Sequence, residues 1–219
     1  MMKKICMISF VLHFAAAGSG CASGNDKKAA EAAPAKVYMT RDISPAGMKA
    51  VYEALGRKAE GKKVAVKLST GEPGGNNFLQ PALIGDLVKS VKGTIVECNT
   101  AYGGAIKNIS IGIASSAGKA WIHSAGKTED TEKLWSSLPA QDDFLESMAE
   151  AAKAIAAHCG ERILYISVMN NLSVDCDCDA HPEPPRMGDI GILASLDPVA
   201  LDQACVDLVY ASPDEGKVH

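Results

Sequence analysis

The chain of 219 residues has no basic block: 22 Lys and Arg stand against 26 Asp and Glu, for a formal net charge of −4. A surface that holds nucleic acid needs clustered cations to neutralise phosphates, so no nucleic-acid partner is expected. No apolar run is long enough to span a bilayer comfortably. There is no four-cysteine ferredoxin signature, no Gly-Lys-Ser/Thr ending of a P-loop and no dinucleotide fingerprint. Neither a Ser/His/Asp order nor a paired-carboxylate arrangement stands out, so the sequence names no reaction. What is present, 47% hydrophobic and 22% charged residues, is the composition of a globular chain.

The first residues read as an address. Lys3 and Lys4 form a basic start, Ile5 to Ala17 an apolar stretch, and Gly18-Ser19-Gly20-Cys21 a small-residue cleavage zone. This is the grammar of a bacterial lipoprotein signal over residues 1–21, with Cys21 lipidated as the mature N-terminus. Ordinary secretion with cleavage near Ala15-Ala16-Ala17 and an uncleaved anchor are the alternatives. Residues 22–35, rich in Ala with small and charged residues between, read as a flexible tether, and residues 36–219 as a single domain with length enough to bury a core. The expected location is the cell envelope outside the cytoplasm, with the membrane as a partner through the lipid.

Of seven cysteines, Cys6 leaves with the leader and Cys21 carries lipid. Cys98, Cys159, Cys176, Cys178 and Cys205 then remain in the folded part. An odd count with one Cys-x-Cys pair fits a disulfide framework poorly. Cys98 and Cys205 read as small buried hydrophobes within a strand and a helix.

The rest alternates strand and helix. Strands are expected at Lys36 to Thr40, Lys63 to Leu68, Thr94 to Cys98, Arg162 to Met169 and Ile190 to Leu196. Ser44-Pro45 and Asp197-Pro198 open helices with a capping side chain and Pro at the first position. A helix over Pro81 to Val91 lies between, and the longest runs from Pro139 to His158, with Phe144, Leu145, Met148, Ala152 and Ile155 on its apolar side and Gly160 as its stop. Strands separated by helices imply an α/β fold with a mostly parallel sheet flanked by helices.

The densest cluster of ligand-type residues is the Asp-Cys repeat. Cys176, Cys178 and His181, with Asp175, Asp177 and Asp179, are the candidate metal ligands; thiolate and imidazole suit zinc or iron, carboxylates harder ions. A surface loop with incidental cysteines, or cysteines oxidised with Cys98 or Cys159, is the competing reading. A second candidate is the Gly-rich stretch after the second expected strand, where Gly71, Gly74, Gly75 and Asn76 lead toward a helix and either cradle an anion or form a plain tight turn. Lys107, Lys119 and His123, in a later Gly/Ser-rich stretch, would lie near the same pocket or in a solvated loop.

The blocks GEPGGNNFLQP, GGAIKNISIGIASSAGKAWIH, DCDCDAH and GDIGILASLDPVALDQACVDLV resemble the domain-of-unknown-function family 362, whose members carry the label of uncharacterised Fe–S centre proteins. The resemblance implies an α/β domain connected with a metal or an iron–sulfur cluster, and no reaction. Family members carry a further segment between the blocks that here fuse at Gly103-Gly104-Ala105, which implies an internal deletion, and they continue beyond the last helix. An exported chain would acquire zinc or mononuclear iron more easily than a cluster. Two functions therefore compete: a tethered metal-binding domain, and a tethered binding module for an anionic small molecule. A degenerate chain without function is the third.

Overall fold

The computed structural model describes residues 8–15, 34–61, 63–68, 78–96, 110–173, 181 and 183–218. Its strands are β1 (Ile8–Ala15), β2 (Val37–Thr40), β3 (Lys63–Lys67), β4 (Gly93–Val96), β5 (Ile163–Met169) and β6 (Gly191–Ser195). Its α-helices are α1 (Pro45–Ala54), α2 (Pro81–Ser90), α3 (Ser116–His123), α4 (Gln141–Cys159) and α5 (Pro198–Ala211). The strands form a six-stranded sheet in the order β2-β6-β5-β1-β3-β4. The fold is α/β.

Strand directions follow from the pairings. β3 and β4 are parallel, while β1 is antiparallel to both β3 and β5, and β6 is antiparallel to both β5 and β2. So β2, β3, β4 and β5 share one direction, and β1 and β6 are inserted against it. The common direction fits the helical crossovers expected from the sequence. The opposed strands separate its members, leaving β3–β4 as a parallel pair in direct contact.

Local chemistry explains the helix starts. The hydroxyl of Ser44 accepts from the Gly47 backbone N–H at 3.2 Å, and Asp197 Oδ1 accepts from the N–H groups of Val199 at 2.8 Å and Ala200 at 3.0 Å. Pro follows each cap, where its fixed φ and missing donor suit the first turn. α4 ends at Gly160, whose φ of +53° disfavours a residue with a side chain.

The sheet buries both faces by alternation. Leu164, Ile166 and Val168 of β5 join a cluster with Met48 and Val51 of α1 and Ile84 and Leu87 of α2. Ile163, Tyr165 and Met169 join the opposite cluster with Ala152 and Cys159 of α4 and Leu201 and Cys205 of α5. β5 is buried at every position. Burying one such aliphatic side chain stabilises the fold by roughly 1.5–3 kcal/mol, and these two clusters hold the layers together. On α4 the expected apolar side is only partly covered: Ala152 is buried, whereas Leu145 is 42% exposed. Helix α3, read from sequence as a Gly/Ser-rich stretch, forms because Ser115 caps it on the Gly118 N–H at 3.2 Å. Among the described residues no helix is long and apolar enough to cross a membrane.

Candidate metal site at the end of the sheet

Because β2, β3, β4 and β5 share a direction, their C-terminal ends Thr40, Lys67, Val96 and Met169 lie at one end of the sheet. The chain that follows β3 carries Gly71, Gly74, Gly75 and Asn76, and the chain that follows β5 carries the Asp-Cys repeat. Both candidate stretches therefore leave the sheet at the same end, where α/β folds place their ligands. Those residues themselves, with Cys21, Lys107, Asp175, Cys176, Asp177, Cys178 and Asp179, lie outside the described residues.

The two stems of the Asp-Cys loop are joined. Leu172 bridges Met187, and the Arg186 N–H donates to the Leu172 carbonyl at 3.0 Å. The buried hydroxyl of Ser173 donates to the Glu183 carbonyl at 2.9 Å. Downstream, the Asn171 N–H donates to Asp189 Oδ1 at 2.9 Å, and the Ile190 N–H to the Met169 carbonyl at 2.8 Å. The loop is thus pinched at its base and carries exposed His181 on its returning limb. Among the described residues no three His, Cys, Asp or Glu side chains come together as a metal cluster.

Two polar groups at this end were not singled out from the sequence. Asn170, the first residue after β5, has a buried Oδ1 with no hydrogen-bond partner among the described residues. A buried acceptor without a donor is uncommon and marks a place for a donor or a cation. Lys67, the last residue of β3, is 4% exposed and donates to the Leu68 carbonyl. A buried ammonium needs compensating partners, and Lys67 is not without them. The signal for Lys67 is its position inside the apolar run KVAVKL, where an exposed lysine is not expected. For Asn170 no sequence signal exists.

A cleft of about 580 Å³ opens nearby, with Met39, Ile43, Ile190 and Leu208 as apolar lining and Arg41 and Asp189 as its charges. Neither Lys119 nor His123 lines it. His123 sits at the end of α3, its Nδ1 2.7 Å from the Lys119 carbonyl and its ring stacked on Phe144 of α4 at 5.6 Å. That ring joins two helices.

Cys159 and Cys205 are free and buried. Burial pushes the Cys205 thiol up to about 12, with Asp202 adding to the shift and a hydrogen bond with Ser167 opposing it. Burial also raises Cys159, against the nearby Arg162 charge. Cys159 precedes β5 and the Asp-Cys loop follows it, so about 20 Å of extended strand separates that thiol from the loop's first stem. A disulfide needs Cα atoms within about 7 Å, which disfavours pairing of Cys159 with the loop.

No curated protein and no solved structure matches the chain. The family comparison matches residues 96–207 to DUF362. That span holds two of the four blocks quoted above and all but the last two residues of a third, along with α3, α4, β5, β6 and the pinched loop, and covers just over half of the sequence. The chain belongs to the DUF362 family, described as a domain of unknown function.

Proposed function

We propose that the protein is an extracytoplasmic α/β domain, tethered by lipid on Cys21, that binds one transition-metal ion through the Asp-Cys loop. Cys176, Cys178 and His181 supply thiolate and imidazole ligands, which suit zinc or iron. Asp175, Asp177 and Asp179 provide carboxylates for the remaining position or for the ligands' surroundings. The observation that carries this reading is the orphaned Oδ1 of Asn170 at the root of the loop. A cation or a donor held there would satisfy it, and the joined stems favour a loop that gathers its ligands over that point. The bound ion would supply Lewis acidity or a redox centre; the chain's own part is to gather the donors and exclude bulk water from the loop base. The iron–sulfur label of the family stays an alternative cofactor.

The test is elemental analysis with a thiol count on anaerobically purified protein, beside a Cys176→Ser/Cys178→Ser variant. About one metal per chain, lost in the variant, supports the reading and names the ion. A metal-free chain with these cysteines in a disulfide overturns it, and a metal-free chain without cooperative unfolding points to a degenerate family member.

A second reading rests on the place of the Gly-rich stretch, which follows β3 at the end of the sheet where α/β folds hold ligands: Gly71, Gly74, Gly75 and Asn76, with Lys107, Lys119 and His123, would hold an anionic small molecule. Phosphate or carboxylates would then raise the melting temperature of the Cys176→Ser/Cys178→Ser variant as much as that of the parent chain. No stabilisation in either chain removes this reading.

A further inference from the structure

β3 and β5 run in the same direction but do not pair with each other; one strand's width lies between them. Their outer edges are paired with β4 and β6. Their facing edges are paired through β1. Val11 to Ala15 register with Lys67 to Lys63, and Ile8 to His13 register with Val168 to Ile163. Without β1, the sheet falls into β2-β6-β5 and β3-β4, and the edge of the wholly buried β5 presents backbone groups that must find partners.

The sequence of β1 supports this place independently. Ile8, Phe10, Leu12 and Phe14 alternate with Ser9, Val11, His13 and Ala15, the period of a half-buried strand. The four large apolar residues register with Val168, Ile166, Leu164, Val66 and Val64, all in one core cluster. A shift by one residue would exchange the two sets. An export leader needs an apolar run but has no need of this alternation.

We propose that the gap between β3 and β5 is a strand-accepting groove whose occupant is Ile8–Ala15 of the same chain. The run that reads as the core of an export leader is then also the strand that closes the sheet. It occupies one place at a time: docked, it is withheld from a translocation machinery; removed with the leader, it leaves two strand edges open. Export and folding compete for the same eight residues. The competition rests on the leader reading above, whereas the groove and its occupant do not.

The experiment is hydrogen–deuterium exchange by mass spectrometry on the full, unprocessed chain. Peptides over residues 8–15 are expected to exchange as slowly as those over 163–169. A Leu12→His/His13→Leu double variant keeps the composition and total hydropathy of the run but breaks the alternation. It should exchange faster at 8–15 and 63–67 and melt at a lower temperature. Fast exchange at 8–15 in the parent chain, with 63–67 and 163–169 protected, overturns the proposal. If the double variant does not fold, a protease site placed after Asn25 of the parent chain decides. The cut segment should co-elute with the body and be displaced by an excess of a synthetic copy of residues 6–16, and its immediate loss overturns the proposal. Protection at 8–15 with normal processing in cells keeps the groove and removes the competition.

Discussion

The hydroxyl of Ser173 donates to the backbone carbonyl of Glu183 at 2.9 Å, joining the two limbs of the Asp-Cys loop where they meet the sheet. Ser173 is 2% exposed, so water does not readily replace the bond. Ser173→Ala is expected to lower stability by about 1 kcal/mol and, if the loop holds an ion as proposed, to weaken metal binding through a looser loop base. Urea unfolding reads the first effect and competition with a chromophoric chelator the second. Unchanged affinity would mean that the backbone bonds of Leu172 close the loop without Ser173.

Asn170 separates a structural from a binding role. Replacing it by Leu removes a buried acceptor without a partner among the described residues, which on stability grounds alone is neutral or stabilising by about 1 kcal/mol. If the oxygen faces a bound ion, Asn170→Leu protein keeps or gains metal-free stability while its metal retention falls. Equal metal content in parent and variant would detach Asn170 from the site.

Asp214 ties the C-terminal segment to the returning limb. Its Oδ2 accepts from the Gly188 N–H at 2.8 Å and its Oδ1 from the Gly216 N–H at 2.9 Å. These two bonds, that of Gly188 first, hold its carboxyl below the ordinary 3.8. A depressed folded-state value means that the stabilisation is complete above the unfolded value and disappears as pH falls through the folded one. The melting-temperature gap between parent and Asp214→Asn should therefore be constant above 3.8 and close below it. A gap that persists into stronger acid would refute the assignment.

Cys159 and Cys205 should resist iodoacetamide in the native state at mildly alkaline pH, because only a thiolate attacks and both thiols are buried with raised pKa values. Labelling is expected to run more than about a thousandfold slower than in denaturant, since it waits on unfolding. Peptide mapping after timed quenching measures it, and prompt native labelling of Cys205 would contradict its packing against β5.

The elements legible in sequence were those specified locally. Ser44-Pro45 and Asp197-Pro198 carry their own caps, Gly160 its own positive φ, and the apolar runs of β3, β5 and β6 their own burial. The boundaries moved by one or two residues where pairing, which involves another strand, decides the end: β3 ends at Lys67, one residue short of the expected Leu68, while Cys98 lies outside the described residues. Helix α3 was hidden because Ser115, Ser116, Ala117 and Gly118 resemble a loop until Ser115 caps them. The docking of Ile8–Ala15 was hidden because an apolar run of that length suits a leader equally well.

The same division holds for the site. The ligand chemistry of Cys176, Cys178 and His181 is a property of residue types and spacing, and so is family membership; neither depends on the rest of the chain folding in a given way. That the stretches after β3 and β5 share one end of the sheet follows from strand directions, which only pairing between distant segments sets. The burial of Lys67, the orphaned oxygen of Asn170 and the Ser173–Glu183 closure are likewise tertiary. Each depends on which neighbours exclude water from a polar atom, and those neighbours lie far away in the sequence.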